Sequence, residues 1–200
     1  MSHATLIPRS ALAGLTFHSA SRPNVLAWDL PPVSLASVVS RRGPVAELRR
    51  RALAELGVAL PEGPRRVSAG FISLVGIGPG AWLAIADRLD ADFHIRIGRT
   101  LGPCASVADQ SGAHALLRLS GAQIRSTLGK LLPIDLYPRA FAVGAAATTA
   151  AAQIPVHLWR LEDGTGGHPV FEIAVPRSLA VSFWHALTES AAEFGFALNP

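Results

Sequence analysis

The clearest periodicity in the chain lies at residues 114–119. Ala115, Leu117 and Leu119 fall on one face and His114, Leu116 and Arg118 on the other, which predicts a strand with one wholly apolar face. Ser120-Gly121-Ala122-Gln123 follows in the form S-x-x-Q, the spacing of a capping box, with Leu119 and Ile124 placed to pack as a hydrophobic staple. Ile124, Leu128 and Leu131 continue one helical face. Pro133 lacks an N–H and turns Leu132 away from helical geometry, so the pattern predicts a helix over residues 121–131. An ordered loop bounded by Pro133 and Pro138 comes next, with Asp135 its only acid. Residues 143–152 are almost all Ala and Thr. Propensity favours helix there, yet no large apolar side chain anchors a helix face. Residues 154–161 predict a strand, with Val156 and Leu158 on one side and His157 and Trp159 on the other.

Outside this central stretch the pattern is less regular. Residues 1–32 are rich in Ser, Pro and small apolar side chains and predict an extended amino-terminal arm with one or two short strands, which is easiest to account for if it lies on a partner. Residues 35–39 predict a strand. Gly43-Pro44 opens a helix in which Val45, Leu48, Ala52 and Leu56 share a face, and Gly57 sits where a left-handed cap is usual. The apolar runs 68–77 and 81–86 predict two strands joined by a turn at Gly78-Pro79-Gly80. Phe93, Ile95 and Ile97 alternate with His94 and Arg96, a strand pattern whose other reading is a short helix. Residues 162–169 predict a hairpin loop, 170–175 its returning strand, and 178–194 a final helix ended by Gly195. Strands and helices are mixed without a regular strand–helix alternation. This argues an α+β fold with a largely antiparallel sheet and helices packed on one side. The expected division is an arm over 1–32 and a single domain over 33–200.

Composition narrows the function classes. Half of the 200 residues are apolar, enough for a sizeable core, but no run approaches the length of a membrane span. Residues 1–15 lack the pattern of a signal peptide, so the expected setting is cytoplasmic with no membrane partner. The net charge is +4, carried by Arg and only one lysine, Lys130. Arg41, Arg42, Arg49, Arg50, Arg51, Arg65 and Arg66 form a basic cluster. No aromatic residue lies among them and Glu47, Glu55 and Glu62 are interleaved, which favours a protein-facing or solvated surface over nucleic acid. The Gly-rich turn at 76–80 is neither G-x-G-x-x-G nor a Walker loop. No two histidines stand at metal-ligand spacing, Cys104 is alone, and Ser111 beside Asp109 is not by itself a triad. Asp135 is the one acid worth weighing as a ligand contact, against capping backbone N–H groups or pairing with Arg139.

Several segments together resemble the gamma subunit of heterotetrameric sarcosine oxidase. They are Asp109-Gln110-Ser111, Leu117-Arg118-Leu119-Ser120-Gly121, the loop from Pro133-Ile134-Asp135-Leu136 to Tyr137-Pro138-Arg139-Ala140-Phe141, and Leu158-Trp159-Arg160-Leu161. Arg9-Ser10-Ala11-Leu12-Ala13-Gly14-Leu15, Ser182-Phe183-Trp184-His185 and Ala192-Glu193-Phe194-Gly195 extend the likeness over nearly the whole chain. The resemblance implies a fold like the folate-binding domain of glycine-cleavage aminomethyltransferases. It also implies a non-catalytic structural role beside alpha, beta and delta subunits. Those would carry FAD, FMN, NAD, tetrahydrofolate and zinc in a complex that oxidises sarcosine to glycine, with one-carbon transfer to tetrahydrofolate. Arg49, Arg50, Arg51, Trp159 and Trp184 are the expected partner-facing residues. The alternative is a stand-alone folate-binding, one-carbon-transfer protein using Asp135 with Arg139.

Overall fold

A computed structural model describes residues 9–15, 19–41 and 45–199 of the chain. Its strands are β1 (Val25–Asp29), β2 (Leu35–Ser40), β3 (Arg66–Ala69), β4 (Ile72–Gly78), β5 (Ala81–Ala86), β6 (Ala105–Asp109), β7 (His114–Ser120), β8 (Ala146–Ala151), β9 (Ile154–Leu161), β10 (Val170–Pro176) and β11 (Phe196–Asn199). Its α-helices are α1 (Val45–Leu56), α2 (Phe93–Leu101), α3 (Ile124–Leu131) and α4 (Ala180–Ala191). The strands form two sheets, a six-stranded one in the order β11-β1-β7-β10-β9-β8 and a five-stranded one in the order β3-β4-β5-β2-β6. Every neighbouring pair is antiparallel except β1 with β11.

The alternation read from the sequence decides how the sheets stack. On β7 and β10, Leu117, Leu119, Phe171 and Ile173 point to one side and pack with Ile124 and Leu128 of α3 and Phe183 and Leu187 of α4. Each of these side chains is fully enclosed, a burial that contributes about 1.5–3 kcal/mol apiece. On the second sheet, Val38, Leu74 and Ala84 pack with Leu48 and Ala52 of α1 and with Phe93, Ile97 and Leu101 of α2. The remaining faces meet each other: Leu35, Val75, Leu83 and Ile85 from one sheet against Leu116, Trp159 and Ala174 from the other. The antiparallel α+β expectation therefore holds with a second sheet added. Each sheet carries helices on one face and its partner sheet on the other.

Five local expectations are corrected. Ser120 is no helix cap; it ends β7, and its hydroxyl donates to the Pro169 carbonyl at 2.9 Å. The helix starts only at Ile124, because Gly121 has φ +121° and breaks the turn. The run 68–77 folds back on itself as a hairpin, with Ala69 opposite Ile72 and Gly70 at φ +55°. Residues 93–101 are helical, because Leu101 continues the stripe of Phe93 and Ile97 at intervals of four while Ile95 faces solvent. The Ala/Thr run becomes the edge strand β8, held by its ladder to β9 instead of by side-chain anchors. Finally, residues 25–29, within the expected arm, are part of the core sheet. β1 lies inside the six-stranded sheet between β11 and β7, with Val25 and Ala27 fully buried, and Leu12 is packed into the same core. Residues 1–8 and 16–18 of the expected arm lie outside the described residues, as do Arg42 of the basic cluster and Gly43-Pro44 at the expected helix start.

Candidate functional site

The loop that carries Asp135 is self-contained. One oxygen of Asp135 accepts the Tyr137 N–H at 2.9 Å, and the other faces Arg139 at 3.6 Å. Leu136 is buried and anchors the loop, and its carbonyl accepts the Arg125 Nε–H at 3.1 Å. Asp135 and Arg139 are both exposed, and neither lines either of the two cavities described below. The carboxylate is thus occupied as a turn-former, an ordinary use of Asp in a loop.

A well-formed cavity lies elsewhere. It has a volume of about 870 Å³ and opens on the inner face of the six-stranded sheet, where the smaller sheet leaves it uncovered. Leu26 and Trp28 of β1, Arg118 of β7 and Val170 of β10 form its floor, Arg66 and Ser68 of β3 one wall. Val143, Gly144 and the hairpin loop with Glu162 and His168 complete the mouth. Beneath the floor, Glu172 is buried and fully engaged. Oε1 accepts Arg118 Nε at 3.0 Å and Nη2 at 2.6 Å, and Oε2 accepts the Trp159 indole N–H at 2.8 Å. A second cavity of about 520 Å³ lies under the exposed Phe71, whose ring is covered by the Arg88 guanidinium at 4.7 Å.

Between the sheets, two histidines face each other at 5.7 Å between ring centres. Thr148 Oγ1 bonds His157 Nδ1 at 2.9 Å and the Ile77 carbonyl at 2.8 Å, tying the two sheets together. Burial, and then the neighbouring His114, pull the pKa of His157 down to about 4; burial alone lowers that of His114. Both are therefore neutral at pH 7 and serve as packing groups.

The remaining sequence candidates separate into surface and interior. Arg50 and Arg51 of α1 both bind Glu47, and Arg49 pairs with Glu62 at 2.6 Å. The Arg50 bond, helped by that of Arg51 and by the charge of both arginines, lowers the Glu47 pKa to about 2 against the opposing effect of desolvation. Trp159 and Trp184 are enclosed, the first between the sheets and the second under α4, so neither presents a surface to a partner. Ser111 donates to Asp109 at 2.6 Å and accepts the Leu35 N–H, which spends it on a turn. Among the described residues no three His, Cys, Asp or Glu side chains gather as a metal site, and no helix is long and apolar enough to cross a membrane. The cavity itself was missed in the sequence because its wall and floor come from four strands far apart in the chain.

Residues 45–193 match the model of the sarcosine oxidase, gamma subunit family. This chain belongs to that family. It is 34% identical over 164 residues to the sarcosine oxidase subunit gamma of Corynebacterium sp. (strain P-1), covering 78% of this chain and 79% of that one. The gamma subunit from an Arthrobacter species is 32% identical over 160 residues, with the same shares covered. Among solved structures, the fold matches a chain of the heterotetrameric sarcosine oxidase from Corynebacterium sp. U-96, determined in complex with pyrrole 2-carboxylate. The TM-score is 0.78 at 26% identity, over 94% of this chain and 96% of that one. It also matches 48% of the glycine cleavage system aminomethyltransferase T from Bartonella henselae, at a TM-score of 0.64 and 19% identity, a likeness of fold alone. This chain thus shares its fold with part of that aminomethyltransferase, and its loop acid Asp135 closes a turn.

Proposed function

We propose that this chain is the gamma subunit of a heterotetrameric sarcosine oxidase and that it works by assembly, with the catalysis done by its partners. The observation that carries the reading is the end-to-end match to one chain of such an enzyme, at a similarity that spans both sheets. The state of the polar groups supports the non-catalytic part. Glu172, Asp135, Ser111 and His157 all have hydrogen-bonding partners, and His114 packs its ring against His157 between the sheets. Alpha, beta and delta subunits are the partners in this reading, and FAD, FMN, NAD, tetrahydrofolate and zinc reside on them. The complex works in the cytoplasm. The exposed arginines of α1, Arg49 and Arg50, form part of the surface through which the subunit docks.

The experiment is capture of the tagged chain from its source cells grown on sarcosine. A yellow complex with larger subunits, releasing peroxide when sarcosine is added, is the expected result. A colourless eluate containing this chain alone sinks the reading.

A further inference from the structure

We infer that the 870 Å³ cavity on the six-stranded sheet is a binding site for a small oxyanion with an apolar body, its carboxylate or phosphate head held by Arg66 and its body lying on Leu26, Trp28 and Val170.

The charge balance of the cavity leads there. Three arginines, Arg66, Arg118 and Arg160, line it, and they are not equivalent: Arg160 has Asp163 as its acid partner through Nη2, although its Nη1 is buried without a hydrogen-bond partner among the described residues. Arg118 makes two bonds to Glu172, whose second oxygen is taken by Trp159. Glu172 therefore spends both oxygens on Arg118 and Trp159 and attracts Arg66 only through its charge. Arg66 uses Nη2 on the Ser73 hydroxyl at 2.8 Å, a neutral acceptor. Its Nε–H is buried and has no hydrogen-bond partner among the described residues. The Arg66 guanidinium is thus held in a half-buried wall with no carboxylate among the described residues bonded to it, the Glu172 charge acting on it only at a distance. Leaving a charged donor unpaired away from water is costly, and an arriving oxyanion relieves that cost. A planar guanidinium suits a carboxylate or phosphate, whose oxygens take its N–H groups in its own plane. Glu162 stands at the rim, fully in solvent, and the Ser120 hydroxyl is committed to Pro169.

The rest of the cavity suits the rest of such a ligand. Leu26, Trp28, Leu161 and Val170 are apolar and lie within the same concavity, and its volume falls in the range of small-molecule pockets, about 300–1,000 Å³. The site requires no other subunit for its lining, so it is independent of the assembly reading.

The test is a titration of the full-length chain labelled with 15N at constant ionic strength, following the indole N–H resonance of Trp28, which lines the cavity and is present in every variant, and in the unsubstituted chain also the Arg66 Nε–H. Sodium benzoate, sodium phosphate and sodium chloride are added in separate series. A saturable shift with benzoate identifies a carboxylate ligand with an apolar body, and one with phosphate identifies a phosphate head. Arg66→Gln should weaken the binding about tenfold, the loss of a charge-assisted bond. Val143→Trp, placed at an exposed position of the mouth, should block it while leaving the melting temperature unchanged. Arg139→Gln removes an equal charge outside the cavity and should change nothing. Shifts that rise linearly and equally with all three salts, or unchanged binding in Arg66→Gln, would overturn the proposal.

Discussion

Trp159 Nε1 donates to Glu172 Oε2 at 2.8 Å in the layer between the two sheets, while Glu172 Oε1 holds Arg118 at the edge of the open cavity. One buried carboxylate thus joins the dry inter-sheet core to the wet pocket. Its two oxygens are satisfied from opposite sides, which lets an ionised group sit at 7% exposure.

Removing that carboxylate should show the coupling. Glu172→Ala leaves the Trp159 N–H without an acceptor and Arg118 without its charge partner. Arg118 recovers water easily because its side chain is 44% exposed, so the expected loss is about 2–3 kcal/mol rather than the full penalty of a broken buried pair. Urea unfolding, with Trp159→Phe in a double-mutant cycle, measures it. A loss no greater than that of an ordinary surface substitution would refute the arrangement.

The inter-sheet histidines predict an acid-sensitive fold. Their folded pKa values lie below the ordinary value of about 6.5, so the unfolded chain binds protons first as pH falls. The stability they support is complete above about pH 6.5 and is lost progressively toward the folded pKa of His157, about 4. Allowing for solvent screening of these incompletely enclosed rings, the loss is on the order of 2 kcal/mol. His157→Gln should flatten the curve between pH 6.5 and 4. An equally steep curve in that variant would assign the acid sensitivity to other groups.

Gly121 is a sharp point in the same sheet. With φ +121°, it is strained for any other residue, and an added Cβ would stand 2.2 Å from the Asn24 carbonyl oxygen. Gly121→Ala should cost about 3 kcal/mol or more, since the obstacle is backbone at the start of β1. Gly57→Ala has a similar φ sign but open space around it, and should cost about 1 kcal/mol. Thermal melts of the two variants side by side decide it.

The loop carboxylate separates assembly from folate chemistry. Asp135→Ala loses the Tyr137 N–H cap and should lower stability by about 1 kcal/mol. In the assembled complex, the rate of sarcosine-dependent peroxide release should be unchanged. A loss of tetrahydrofolate affinity in the isolated chain on this substitution would instead support the stand-alone folate protein.

The α1 arginines report on docking. Arg49→Glu with Arg50→Glu breaks only exposed ion pairs, so stability should move by about 1 kcal/mol at most. Recovery of the partner subunits in the capture experiment should nevertheless fall. Full recovery would place the docking surface elsewhere.

Much of the fold was readable where packing and periodicity agree. The alternation of residues 114–119, 154–161 and 170–175 predicted β7, β9 and β10, the centre of the six-stranded sheet. The reading failed where local signals mislead. Ser120 and Gln123 have the spacing of a cap, but the strand keeps hold of Ser120 through Pro169, a bond to a residue 49 positions away. Phe93, Ile95 and Ile97 alternate over too short a span to exclude the helix that Leu101 completes. β6 and β11 were not anticipated, since each is defined mainly by a ladder to a distant strand. The cavity was equally invisible: Arg66 looked like one member of a basic cluster, and only the tertiary fold sets it beside Trp28 and Arg118.

The parallel pairing of β1 with β11 has a consequence for biosynthesis. Val25 pairs with Phe196, so β1 lacks one of its two neighbours until residues 196–199 have been made. Until then the nascent chain has an open strand edge and a hydrophobic layer lacking Phe196, which packs edge-on to Trp184 at 5.3 Å. The six-stranded sheet cannot be completed before β11 is made, and the exposed intermediate is the state that chaperones or early-bound partner subunits have to shield.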